Sequence, residues 1–212
     1  RGAGIRPVAA LPLSGVAARA LNRLIAGAAR SCYRAAGDFT LPVVVTAPWG
    51  GGVPGALYHS QSIEATFGHI PGVKVVIPST PADAKGLLKA AVRDPDPVLY
   101  LEHKRTYRLV RGEVPDGDSI VPIGKAEVKR EGTDLSLIAY GLMLNHCLEV
   151  ATKLEKEGVS AEVLDLRTIK PMDEQAVIAT ARKTGKVLVV HEDNRSGGIA
   201  GEVIASVQHN AV

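Results

Sequence analysis

Apolar residues along the chain follow two rhythms. Short β-branched runs bounded by proline or glycine predict buried parallel strands over Pro42 to Ala47, Val73 to Ile77, Val98 to Leu101, Leu135 to Ala139, Val159 to Leu166 and Lys186 to Val190. Between them apolar positions recur every third or fourth residue, the mark of helices with one face toward a core. The first such stretch is Val16 to Arg34, with Leu21, Leu24, Ile25, Ala28 and Cys32 on its stripe and the arginines mostly off it. A short helix follows over Ser62 to Phe67, with Glu64 in its first turn, where the helix dipole favours an anion. The hydroxyl-then-proline sequence Ser79-Thr80-Pro81 starts a helix that buries Ala84, Leu87, Leu88 and Ala91. Leu142 to Glu157 reads as a helix stopped by Gly158, with further helices over Asp173 to Lys183 and from Ile199 onward. Strands alternating with helices predict an α/β fold with parallel pairing through right-handed crossovers. Arg111 to Gly124, with Pro115, Gly117, Pro122 and no period, reads as a linker between units at 1–110 and 125–212.

A chain of 212 residues, 46% of them hydrophobic, is long enough to bury a sizeable core in one or two domains. Its apolar runs fall short of the ~18 residues a membrane span needs. A net charge of +3 with 4% aromatic residues is too mild to point to nucleic acid. Cys32 and Cys147 match no metal or redox spacing, so they are expected as free thiols in a reducing compartment. The first 34 residues hold six arginines and no acid, the composition of an organelle transit peptide.

The segment from Trp49 to Ser62 departs from a generic α/β pattern. Four glycines and two prolines between Pro48 and Gly55 carry the backbone out of the Pro42 strand and deliver His59 just before a helix. No Gly-Lys-Ser/Thr and no Gly-x-Gly-x-x-Gly follows, which argues against a nucleotide loop. By spacing alone His59 fits two roles: a hydrogen-bonded structural residue, or a group that holds and moves a proton.

The wording of the segment decides more. Ala-Pro-Trp-Gly-Gly-Gly-Val-Pro-Gly-Ala-Leu-Tyr-His-Ser-Gln-Ser, continued by Gly-His-Ile-Pro-Gly-Val-Lys-Val-Val-Ile-Pro over Gly68 to Pro78, resembles the β subunits of the thiamine-diphosphate-dependent 2-oxo acid dehydrogenases. Leu101-Glu102-His103-Lys104-Arg105-Thr106-Tyr107-Arg108 looks most like the branched-chain type, and less like the pyruvate type. Asp165 to Pro171 is phrased as in the carboxy-terminal domain of transketolase-like proteins. The resemblance runs from Gly4 to about Val207. It implies a partial pyrimidine-binding domain, then a partial transketolase C-terminal-like domain, with both ends of the family's domains outside these residues. It also places Gly4 to Ala9 and Ala28 to Arg34 in register with the folded domain, against a transit peptide.

The resemblance implies a cofactor shared with a second chain. An α subunit would hold the diphosphate and magnesium of thiamine diphosphate, the β chain its aminopyrimidine, and two of each a heterotetramer that passes acyl groups to a lipoyl-bearing acyltransferase core. His59 matches the family histidine near the reacting carbon, while His69 is expected to brace its turn. A structural potassium is implied at Leu41, Val43, Val44, Ala91, Asp94 and Asp96, where oxygen ligands suit a hard cation; Asp94-Pro95-Asp96-Pro97 reads equally well as a simple turn. The sequence also departs from the family pattern. The family's ylide-promoting glutamate lies upstream of these residues, whose first glutamate is Glu64. Val16 stands where relatives carry an aromatic cofactor contact, Pro12 at a usually polar position, and Arg19 in an apolar slot. A valine lacks an aromatic face to stack on the ring. The chain as it stands is therefore expected to be inactive alone, and a non-catalytic homologue that keeps only assembly contacts is the alternative. Transketolase-type enzymes fit the His59-Ser60-Gln61 and Glu102-His103-Lys104 runs less well. The expected location is the cytoplasm, with the mitochondrial matrix as the other reducing compartment.

Overall fold

The structure, a computed structural model, describes residues 4–12, 20 and 22–210. Two sheets organise it. The first takes β1 (Val8–Ala10), β2 (Val44–Trp49), β4 (Val98–His103), β3 (Lys74–Val76) and β8 (Thr168–Lys170) in that order. The second takes β5 (Glu127–Arg130), β7 (Ala161–Asp165), β6 (Leu135–Ala139) and β9 (Val187–Val190). Within each sheet the strands expected from the apolar runs pair in parallel, as crossovers demand, and β1, not among those expected, adds in parallel to β2. The two edge pairings differ from that expectation. β5 lies antiparallel on β7, and β8 lies antiparallel on β3. β8 is three residues long and follows a reversal at Arg167, whose φ of 55° is left-handed; strands this short carry no readable period. By this pairing a segment that follows the linker belongs to the sheet that precedes it.

The helices are α1 (Ala29–Arg34, preceded by a π-helical stretch Arg23–Ala28), α2 (Ala56–His59), α3 (Glu64–Gly68), α4 (Pro81–Arg93), α5 (Thr106–Leu109), α6 (Leu142–Lys156), α7 (Glu174–Thr184) and α8 (Ile199–Asn210). Capping explains several boundaries. Thr80 accepts the Asp83 N–H at 3.1 Å ahead of Pro81, and Asp173 caps α7 through the Ala176 N–H at 3.3 Å. One apolar cluster runs under both sheets, joining Trp49, Phe67 and Ile77 to Tyr140, Leu166 and Val203. No described helix is long and apolar enough to cross a membrane.

The linker is a strap packed along α4. Val121 and Ile123 join the cluster of Val44, Leu87 and Ala91, and Asp118 pairs with Lys89 at 3.0 Å and Arg93 at 2.9 Å. Gly86 permits this approach, since a Cβ there would stand 2.5 Å from the Val121 side chain. Between the sheets lies a charge cluster, buried at Asp83, Asp165 and Arg167 and open to solvent at Glu127. Arg167 donates to Asp83 at 3.3 Å, to Glu127 at 2.9 Å and to the carbonyls of Lys125 and Ala126, while Lys129 reaches Asp83 at 3.1 Å. Asp165 sits behind them, accepting from Ser79 at 2.9 Å. Burial, with Asp83 beside it, pushes its carboxyl up to about 7.

Candidate functional site

The strands β2, β3 and β4 end on the same side of the first sheet, and the segments that follow them converge. After β2 the chain turns through Gly50 and Gly52 at φ of 81° and 76°. Each glycine is also required by a neighbour. A Cβ on Gly50 would lie 2.2 Å from the His103 ring, and one on Gly52 would lie 2.5 Å from the Arg105 side chain. The bend closes where the Gly50 N–H meets the Gln61 carbonyl at 3.3 Å. Between these ends α2 makes one turn and presents His59 half-buried, its carbonyl accepting from Lys104 Nζ. Among the described residues no side chain hydrogen-bonds to the His59 ring. Leu57 and Tyr58 beside it are largely exposed.

Behind the bend the polar groups are densely paired. His103, fully buried at the end of β4, accepts the Arg105 N–H on Nδ1 at 3.2 Å, which leaves its proton on Nε2. That proton goes to Glu192 Oε2 at 2.5 Å, and Glu192 Oε1 takes the Gly51 N–H at 3.0 Å. Burial works against the charge on Glu192, but the bonds from His103 and Gly51 and the nearby Arg105 outweigh it and hold the carboxyl below its usual range. Trp49 sets its ring edge-on to His103 at 5.1 Å and donates from Nε1 to Glu64 at 2.5 Å; Tyr140, from the second sheet, donates to the same carboxylate at 2.9 Å.

Glu64 thus occupies the first turn of a helix as expected, but inside the seam and not toward solvent. Burial pushes its carboxyl from the ordinary 4.5 up to about 7, with Asp193 adding to the rise and the two donors opposing it. A raised folded-state value means the native fold binds this proton more tightly than the unfolded chain does. The stability it contributes is full below pH 4.5 and lost as pH climbs to about 7, up to about 3 kcal/mol. The thermal midpoint should therefore fall between pH 5 and 7.5, with a smaller slope in Glu64→Gln. Equal slopes in the two proteins would show that Glu64 does not titrate in this range.

The structure gathers the six proposed potassium residues around the start of β2 and the end of α4. Val44 and Ala91 pack in one cluster, and Leu41 and Asp96 line one cavity. Lys74 bonds both Asp94 and Asp96, at 2.8 and 3.1 Å, and so balances one of their two negative charges, while the Val92 and Asp94 carbonyls accept from Arg6. The Leu41, Val43 and Ala91 carbonyls each accept one main-chain N–H, and a carbonyl has a second lone pair. The corner therefore offers a cation main-chain oxygens beside a carboxylate pair whose charge Lys74 only half balances. Val16 and Arg19 lie outside the described residues, and Pro12 is exposed. His69 is exposed at the end of α3, and its ring has no partner among the described residues that would brace the turn. No described group of three or more His, Cys, Asp or Glu residues is placed to hold a metal ion. Both cysteines are free, and burial raises the Cys147 thiol to about 11.

The pairings at this site were invisible to spacing. No local spacing marks His103, and Glu192 lies 89 residues away from it. The one available signal was that Trp49, His103 and Glu192 each stand at or just past a strand end.

Comparison with known proteins gives a consistent result. Residues 16–110 match the transketolase pyrimidine binding domain and residues 124–212 the transketolase C-terminal domain. The chain is 55% identical over 209 residues to the 2-oxoisovalerate dehydrogenase subunit beta of Bacillus subtilis and 47% identical to a pyruvate dehydrogenase subunit beta of the same organism. In each case 99% of this chain and 64% of the relative is covered. Among solved structures, a split-gene transketolase described as an inactive tetramer of beta chains superposes with a TM-score of 0.81 at 27% identity, covering 99% of this chain and 64% of that one.

Proposed function

Because the chain belongs to the transketolase-like family, we propose that it acts as the β subunit of a thiamine-diphosphate-dependent 2-oxo acid dehydrogenase that decarboxylates a branched-chain 2-oxo acid and passes the acyl group to a lipoyl domain. The observation that carries this reading is His59: a half-exposed imidazole without a hydrogen-bond partner among the described residues, presented past a strand end beside two exposed apolar side chains. An imidazole built for the core would be paired there. The branched-chain substrate class rests on the 55% identity to the 2-oxoisovalerate relative, against 47% to the pyruvate one. The chain spans 64% of the length of these relatives, so activity, substrate and partners together form the proposal.

Thiamine diphosphate, when bound, supplies the nucleophilic carbon and the electron sink for decarboxylation. His59 is the group of this chain that faces it, holding a proton on an imidazole nitrogen for delivery during acyl transfer. Lys104 fixes the main chain under that ring, and Leu57 and Tyr58 offer the apolar surface against which an α subunit closes the site and excludes water. The diphosphate and magnesium are assigned to the α subunit. Potassium is assigned to the main-chain carbonyls of Leu41, Val43, Val44 and Ala91 and to the side-chain oxygens of Asp94 and Asp96. The reading places the assembly, two α and two β chains bound to an acyltransferase core, in the cytoplasm, where free Cys32 and Cys147 stay reduced.

A full-length chain co-produced with its α partner tests this directly. With thiamine diphosphate, magnesium and potassium, acylation of lipoyl domains should be faster with 2-oxoisovalerate than with pyruvate, and replacing potassium by sodium should lower the thermal midpoint. Equal midpoints would remove the potassium site. Assembly without turnover would favour the second reading, a non-catalytic homologue that keeps only assembly contacts.

A further inference from the structure

We infer that Glu192 is a positioning residue for His59, acting across the seam between the two sheets; this rests on the proposed role of His59 and extends it to the second domain. The loop after β9 delivers Glu192 to the back of the glycine bend, where its carboxylate joins two elements of the first sheet. One oxygen holds the Gly51 main chain, and the other holds the ring of His103. That ring fills the space where a Gly50 Cβ would be, and Arg105 does the same behind Gly52. The bend is thereby pressed between its own glycines and three side chains, two of them from the end of β4 and the third from the other sheet. Lys104, between those two on β4's trailing segment, ties down the carbonyl of His59 itself.

His59 has no side-chain anchor among the described residues, so the direction of its ring is set by the backbone that carries it. The backbone is set in turn by Glu192. A mostly buried carboxylate is weak evidence for stability, because apolar packing of the same volume does as well. Its value here is geometric. Two acceptor oxygens are needed because both partners are donors: Gly51 offers only N–H, and His103 has committed Nδ1 to Arg105. Glutamine offers one acceptor and one donor, so Glu192→Gln keeps the size and breaks one of the two ties whichever way the amide turns. Glu192→Asp keeps both acceptors and falls one methylene short.

The experiment uses the full-length heterotetramer, with amide hydrogen exchange over residues 50–61 and the rate of lipoyl acylation as separate readouts. In Glu192→Gln, exchange over 50–61 should be faster while the sheets are unchanged. The acylation kcat should fall by roughly tenfold at nearly constant KM, since small misplacements of a catalytic group are costly. Combined with His59→Ala, the same substitution should add nothing further, because it acts through His59. Unaltered exchange over 50–61 would overturn the inference, as would effects that multiply in the double variant. Faster exchange in a protein whose His59→Ala form is fully active would sink the proposed function and leave the positioning intact. If Glu192→Gln fails to assemble, Glu192→Asp is read by the same criteria.

Discussion

Alanine at position 59 of the full-length chain is expected to slow acyl transfer to lipoyl domains by roughly 10²- to 10⁴-fold, the usual worth of a positioned proton donor. Stability should barely change. His59 sits half-exposed in a single helical turn, its ring unpaired among the described residues, and the tie from Lys104 is made through the main-chain carbonyl that alanine retains. Substitutions at such positions usually lie within about 0.5 kcal/mol. Loss of rate with intact assembly therefore separates chemistry from folding. Single-turnover acylation, with size-exclusion chromatography of the same sample, makes the measurement. A variant that turns over normally would remove His59 from the reaction.

The second large effect concerns stability. Arg167→Leu should cost about 3–5 kcal/mol, as expected when one member of a buried charge cluster is removed and its partners are left behind. For a chain of this size that is a fall in thermal midpoint on the order of 10 °C. Arg167 shares with Lys129 the charge balance of Asp83 and Glu127, and it satisfies the carbonyls of Lys125 and Ala126. Without it only Lys129 faces Asp83, and the Asp165 carboxyl, already raised by burial, loses one of the two cations that lower it. Lysine at 167 should recover part of the loss, because it restores the charge without the fork of donors. A midpoint shift below 2 °C, measured by calorimetry, would show that the cluster holds nothing together.

Most of the fold was legible because its causes are local. The strand over Leu135 to Ala139 lies where its apolar run ends, and the Thr80-Pro81 start of α4 is capped as the residue types require. What escaped has causes far away along the chain. Glu64 reads as a surface acid at a helix start, and only Trp49 and Tyr140, the latter 76 residues on, make it a buried seam residue. Asp83 likewise looks like the polar side of an amphipathic helix, yet it is nearly inaccessible beneath Arg167 and Lys129. β5 and β8 escaped for a related reason: Glu127-Val128-Lys129-Arg130 has too little apolar content, and Thr168–Lys170 is too short. At the site, the resemblance led to His59, whereas Glu192 and His103 belong to no local pattern and emerge only when two sheets meet.

The antiparallel pairing of Thr168–Lys170 with Val75 and Val76 has a bearing on how this protein comes into being. On a ribosome, β3 is made long before β8, so until nearly a hundred further residues have been added, the Lys74–Val76 strand presents bare amide and carbonyl groups to whatever is nearby. The edge is paired only when the later half of the polypeptide arrives, and until then its shortness and Lys74 are what guard it.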